Sequence, residues 1–173
     1  IFDNEEFLYR EYVVMQPLQR SYSITNDSVE MMIQTGTLSS LYDASKVAEL
    51  EAAEELTGKE LKKLEAYQKN KPLFDAIVET LGAATSSKVY LSPEDFMPVL
   101  SGILEGVTTE KKLLEKIADG LSVMDKNAVI QRDRKGNIIY DKASKDIELV
   151  KFQESIDSFM EREVLPYVPD AKA

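Results

Sequence analysis

Ser92-Pro93-Glu94-Asp95-Phe96-Met97-Pro98-Val99-Leu100-Ser101-Gly102-Ile103-Leu104 is the stretch that decides the fold class. Its first four residues supply an N-cap hydroxyl, a proline at the first helical position and two acids in the first turn, so a helix starts here. Phe96, Val99, Leu100, Ile103 and Leu104 then recur at three- and four-residue steps and put an apolar stripe along one side of that helix. Leu73, Phe74, Ile77, Val78 and Leu81 repeat nearly the same spacing upstream, and Leu113, Leu114, Ile117 and Leu121 make a third face downstream. Three such stripes need one another, or a sheet, to leave water. The expected core is therefore helical, and the six methionines read as its fillers rather than as a binding surface.

Working outward, Val29, Met32 and Ile33 predict a short helix begun around Thr25 to Asp27. From Leu38 to Leu56 a thin stripe of Leu41, Ala44, Ala48 and Ala52 runs along a highly charged rod. Thr57-Gly58-Lys59-Glu60 then has the spacing of a capping box, and Leu61 and Leu64 follow it. This predicts an exposed helical hairpin over 35–70 with a weak core. Tyr9 to Leu18, rich in aromatic and β-branched residues with Pro17 near its end, reads as a strand. Ala128 to Arg132 and Ile138 to Tyr140 flank Lys135-Gly136-Asn137, a plausible hairpin expected to pair with the Tyr9 strand. From Asp146 to about Val164, Leu149, Phe152, Ile156, Phe159 and Glu163 follow alternating three- and four-residue steps, which predicts a final helix over 146–164. Such a seam suits lengthwise packing, against a partner helix or within the domain; Pro166 and Pro169 stop the helix. The expected fold class is mainly α (α+β), a helical domain with a small antiparallel β-sheet or hairpin, divided at 1–34, 35–70 and 71–173.

Composition narrows the chemistry. With 173 residues, 43% of them hydrophobic, the chain can bury one core of ordinary size. No run of about 20 apolar residues and no signal-peptide pattern occurs, so neither a membrane span nor export is indicated, and a cytoplasmic location is the default. Cysteine and histidine are absent, which excludes a disulfide framework, a thiolate zinc site, a cysteine nucleophile and a Ser-His triad. Chemistry would have to come from carboxylates, and these do not gather for it. Glu49, Glu51, Glu54, Glu55 and Glu60 decorate much of a helix circumference, as a solvated face does, whereas an acid/base pair needs facing residues in a cleft. No catalytic, cofactor-binding or metal-binding residue is assigned. The formal charge of −10, from 31 acids and 21 bases, repels phosphate, so this is not a principal DNA-holding surface. Arg132, Arg134 and Lys135 around Gly136 form a local basic turn, either a phosphate contact or a solvated hairpin tip.

Four segments carry a family resemblance. Phe159-Met160-Glu161-Arg162-Glu163-Val164-Leu165-Pro166-Tyr167-Val168-Pro169-Asp170 resembles the F-x-x-x-E-V-L-P-(H or Y)-V-P-D-A-W segment near the C-terminus of the methyltransferase (M) subunit of type I restriction-modification systems, with Lys172 where that family carries Trp. Tyr9-Arg10-Glu11-Tyr12-Val13-Val14-Met15-Gln16-Pro17-Leu18 is similar to its Y-R-x-x-x-V-x-x-P-L strand. Leu121-Ser122 with Asp125, then Arg132-Asp133-Arg134-Lys135-Gly136-Asn137, is similar to its L-S-x-x-D…R-D-x-x-G-N run, and Asp146-Ile147-Glu148 stands where the family often has a D-T-E-like segment. Between Thr35 and Thr85 the likeness is only one of charge-rich helical character. Family members move a methyl group from S-adenosylmethionine to adenine N6 in DNA through a Gly-rich cofactor loop and an N-P-P-(Y or F) loop. Neither motif occurs among these residues.

The resemblance therefore implies a fragment downstream of a catalytic domain, without catalysis of its own, that docks that domain to the specificity (S) subunit in a bacterial or archaeal cytoplasm. It implies a second M subunit and the restriction (R) subunit as further partners, DNA reached through the assembled complex, and S-adenosylmethionine as the parent's cofactor only. On this basis Leu149, Phe152, Ile156, Phe159, Leu165 and Tyr167 are the expected partner-facing surface. The rival readings are a stand-alone acidic helical adaptor and a carboxylate-based hydrolase.

Overall fold

The computed structural model describes residues 8–173 as two compact units, one of Arg20–Asp125 and one that joins the segment ending at Gln19 to Lys126–Ala173. The protein is mainly helical, with small antiparallel sheets. The units divide at Gln19/Arg20 and Asp125/Lys126, not at 34/35 and 70/71, because the second segment is an insertion whose ends meet.

In the inserted unit, strand β2 (Arg20–Ser23) lies between β3 (Val89–Tyr90) and β4 (Ser122–Met124), both antiparallel to it. Helix α1 (Asn26–Gln34) starts where expected: Thr25 Oγ1 accepts from Ser28 N and the Ser28 hydroxyl accepts from Thr25 N, so two donors at the helix end are satisfied reciprocally. Gly36, at φ +69°, then turns the chain, and Leu38 drops into the core. That burial is why helix α2 (Ala44–Glu51) is shorter than the predicted 38–56 rod: 37–41 forms turns serving the main core, and Asp43 caps a fresh start by accepting from Lys46 N. Helix α3 (Gly58–Ala83) opens on the predicted Thr57/Glu60 box and runs unbroken through Pro72. Its two halves belong to different clusters. Tyr67 packs with Val47 and Leu50 in the weak core of the charged hairpin, whereas Ile77 and Leu81 enter the main core.

Helices α4 (Pro93–Leu104) and α5 (Lys111–Gly120) complete that core. Phe96, fully buried, stacks on Tyr22 of β2 at 5.1 Å between centroids and meets Tyr90 of β3 at 5.4 Å, which fixes the sheet to the helices. Leu100, Leu104, Ile117 and Leu121 are buried from the predicted stripes.

The other unit corrects a prediction. The seam expected on a helix over 146–164 is broken: Asp146–Lys151 is strand β5, paired antiparallel with β1 (Tyr9–Val14) from Tyr9↔Lys151 to Val14↔Asp146. Two templates compete for Asp-Ile-Glu-Leu-Val-Lys. Alternation over Asp146–Leu149, with two β-branched residues in the segment, fits a strand as well as the three-residue step from Leu149 to Phe152 fits a helix, and six cross-strand pairs with β1 decide for the strand. Helix resumes only at α6 (Ile156–Phe159), where Ser155 accepts from Ser158 N, and then widens into a π-helical turn over Met160–Val164.

The Tyr9 strand is also not the neighbour of the 128–140 hairpin along its length. Beyond β1 it meets other segments by single pairs, Met15↔Lys172, Pro17↔Tyr140 and Gln19↔Ile130, while Arg132↔Ile138 closes the hairpin itself. Buried Gln19 donates to the carbonyls of Lys126 (3.0 Å) and Ala128 (2.8 Å), so its amide does not sit unpaired. Val14, Met160 and Ala171 form a small core, with Ile156, Val164, Leu165 and Val168 around it.

Candidate protein-docking surface

The ribbon of β1 and β5 has two faces, because side chains alternate along each strand. On the inner face Val14 and Val150 are buried, with Tyr12 and Glu148 half-buried. On the outer face the register sets Tyr9 opposite Lys151, Glu11 opposite Leu149 and Val13 opposite Ile147. All six are exposed, and Tyr9, Ile147 and Leu149 are more than half so. An apolar patch rimmed by one acid and one base is what a docking surface presents, since isolated soluble domains seldom leave such patches uncovered.

The six sequence-predicted partner residues do not form one seam. Leu149 lies on the outer face at 62% exposure. Phe152, just past β5, falls on the inner side, where the Arg10 guanidinium sits 4.2 Å from its ring centroid in a cation–π contact. Ile156 and Leu165 are half-buried against the Val14–Met160–Ala171 core, so their main role is packing within the unit. Phe159 is half-buried at the end of α6. Tyr167, at 83% exposure the most open large hydrophobic residue described, stands beside a cleft of about 190 Å³ lined also by Val14, Asp146, Glu148, Glu163 and Val168. Of the predicted six, the structure thus leaves Leu149 exposed on the outer face and Tyr167 and, to a lesser degree, Phe152 exposed elsewhere. Tyr9, Val13 and Ile147 were missed. The only local signal for them was the aromatic and β-branched content of Tyr9–Val14; the face each occupies is set by the β1–β5 register.

The basic turn is built by its acid. The Asp133 carboxylate accepts from Lys135 N (2.8 Å), Asn137 N (2.9 Å) and Asn137 Nδ2 (2.9 Å), and Gly136 takes φ +87°, which favours glycine. The Asn137 side chain first, then the surrounding backbone N–H groups, hold the Asp133 carboxyl below the usual carboxylate range. Arg132 spends a donor on the Gly136 carbonyl (2.9 Å). Arg134 and Lys135 are exposed on the tip. The three cations are thus brought together, but with a carboxylate among them, which lowers the attraction they offer a phosphate.

Ion pairs stiffen the tail. Arg162 bridges Glu154 and Glu163, the latter at 2.8 Å, and Lys126 holds Asp170 at 2.8 Å, close to the segment that runs back to Met15. Among the described residues no group of three or more Asp or Glu is disposed to hold a metal ion, and no helix is long and apolar enough to cross a membrane. No family model, curated protein or solved structure matches the chain.

Proposed function

We propose that this chain is the C-terminal assembly region of a type I restriction-modification adenine-N6 methyltransferase subunit, cytoplasmic, whose task is to hold a catalytic domain in register with the specificity subunit so that a flipped adenine reaches the active site. Methyl transfer, with S-adenosylmethionine, belongs to that catalytic domain. One observation carries the reading. Most of the segments that resemble the family, although scattered from Tyr9 to Asp170, fold into one unit: β1 pairs with the Asp146-Ile147-Glu148 strand, Val14 shares a core with the Met160–Ala171 tail, and the Arg132–Asn137 turn ends a hairpin attached through Pro17 and Gln19. The part whose likeness is weakest, 35–85, lies in the insertion.

The partner surface is assigned to Leu149 and Tyr167, the two most exposed members of the predicted set; Phe152, also exposed, is engaged by the Arg10 guanidinium. The test is calorimetric titration of the protein into a specificity subunit of the type I class, alongside Leu149→Asp and Tyr167→Asp checked for intact folding by circular dichroism. Binding that either folded variant weakens supports the docking role. If the parent chain binds no specificity subunit that a complete M subunit binds, the proposal is lost.

A further inference from the structure

The edge of β1 opposite β5 carries an inference that does not rest on the proposed function. In an antiparallel ladder successive residues turn their N–H and C=O groups to opposite edges. Phe152 N donates to Leu8 O, so the even-numbered residues of this strand face β5. Met15 exchanges both of its bonds with Lys172, at 2.8 and 2.9 Å, so the odd-numbered residues face the other way. Tyr9, Glu11 and Val13 therefore point N–H and C=O groups at an edge on which, among the described residues, only Met15 has a strand partner. The Met15–Lys172 pair shows that a chain seats on this edge in antiparallel register.

The side chains specify what would fit. A strand added here sets its residues opposite Tyr9, Glu11 and Val13 on the same outer face, with the exposed apolar groups of Ile147 and Leu149 one strand further across on β5. Apolar residues suit the two ends and a cation suits the middle. Where the edge ends at Lys172, a cleft of about 480 Å³ lined by Ile156, Met160 and Leu165 also contains Asp157 and Glu161. Lys172 lines that cleft as well, so its charge is mixed, and it is Glu11 that argues for the cation. A second copy of this chain is the wrong occupant, because antiparallel self-pairing that uses these groups puts Tyr9 opposite Val13 and Glu11 opposite Glu11, and like charges directly opposite are destabilising. Glu11 in effect guards the edge against its own kind.

We propose that the edge of β1 opposite β5 takes up, as a third strand, an extended segment of another polypeptide that is basic at its centre and apolar at the alternate positions on either side. The probe is an acetylated peptide alternating Thr with Val, Lys and Val, and its counterpart with Glu in place of Lys. Amide exchange in the full chain is followed by NMR. The Lys peptide is expected to slow exchange at Tyr9, Glu11 and Val13 while leaving Arg10 and Tyr12, already bonded to β5, unchanged. Glu11→Lys, an exposed substitution that should leave the fold intact, is expected to reverse the preference between the two peptides by at least ~3-fold, as a cross-strand charge pair would. Three results overturn the proposal: slow exchange at the three edge amides without peptide, protection that rises with protein concentration and so reports self-pairing, or a peptide preference that Glu11→Lys does not change.

Discussion

Val150→Ala and Leu149→Ala, at neighbouring positions, should have opposite consequences. Val150 is fully buried on the inner face of the ribbon. Removing two of its carbons forfeits ~1.6 kcal/mol of transfer free energy at ~0.8 kcal/mol per carbon. A void of about 50 Å³ adds ~1 kcal/mol at ~24 cal/mol per Å³, so the total is about 2–3 kcal/mol. Leu149 is 62% exposed. Less than half of the ~2 kcal/mol that full burial of a leucine supplies is at stake there, and no cavity forms, so the loss stays below about 0.8 kcal/mol. On a helix with Leu149 in its seam the order would be reversed. The assay is hydrogen exchange at the Arg10 and Tyr12 amides, which report opening of the ribbon rather than of the inserted unit. Val150→Ala should speed it by about 50-fold and Leu149→Ala by less than about 5-fold, since each 1.4 kcal/mol is tenfold. If Leu149→Ala loosens these amides more than Val150→Ala, the strand assignment and both faces derived from it are wrong.

Gly120→Ala should destabilise the inserted unit by ~1 kcal/mol in urea unfolding, because the new methyl would come within 2.6 Å of Met32 Cγ and 2.7 Å of Thr37 Cγ2, and Met32 is fully buried; overpacking at ~1–3 kcal/mol outweighs a helix gain of ~1 kcal/mol. Gly82→Ala, inside α3 with open space around it, should instead gain up to ~1 kcal/mol, and equal responses at the two glycines would remove the packing argument. For the basic turn, the folded Asp133 carboxyl is held below its unfolded value, so the order it confers is complete above the ordinary carboxylate range and is lost as pH falls through the lowered folded value. Chemical shifts of the Lys135 and Asn137 amides should therefore stay constant through the ordinary range and change only below it, and Asp133→Ala should show the disordered shifts at every pH.

Much of this fold was legible because its signals are local. Thr25, Thr57 and Ser92 cap helices where their spacing placed them, and the Phe96 and Ile117 stripes are the core. What escaped was decided at a distance. Nothing within Asp146–Lys151 distinguishes its two periodicities; the partner that does so is β1, near the other end of the chain. The division at 70/71 falls inside α3, which runs on through Pro72: the proline forfeits one helix hydrogen bond, but Tyr67 on one side and Ile77 on the other are each anchored. The candidate surface was half legible for the same reason. Tyr167 follows a proline and is exposed as expected, whereas Leu149 is exposed because it lies on a strand, and Ile156 and Leu165 are drawn inward by Val14, a contact the tail alone does not announce.

The neck of the insertion bears on the speed of folding. Val14 and Asp146 lie roughly 130 residues apart, and closing a flexible loop of that length is slow and entropically unfavourable. Arg20 and Met124, however, pair within the inserted unit, whose helices and core form from contacts inside that segment. Once that unit has folded, the two arms leave it side by side, and the loop still to be closed shrinks to roughly 30 residues, about 1.4 kcal/mol less costly by the logarithmic dependence on length. If the insertion folds first in this way, mutations that slow its collapse should delay the appearance of the β1–β5 ladder even when they touch none of its residues.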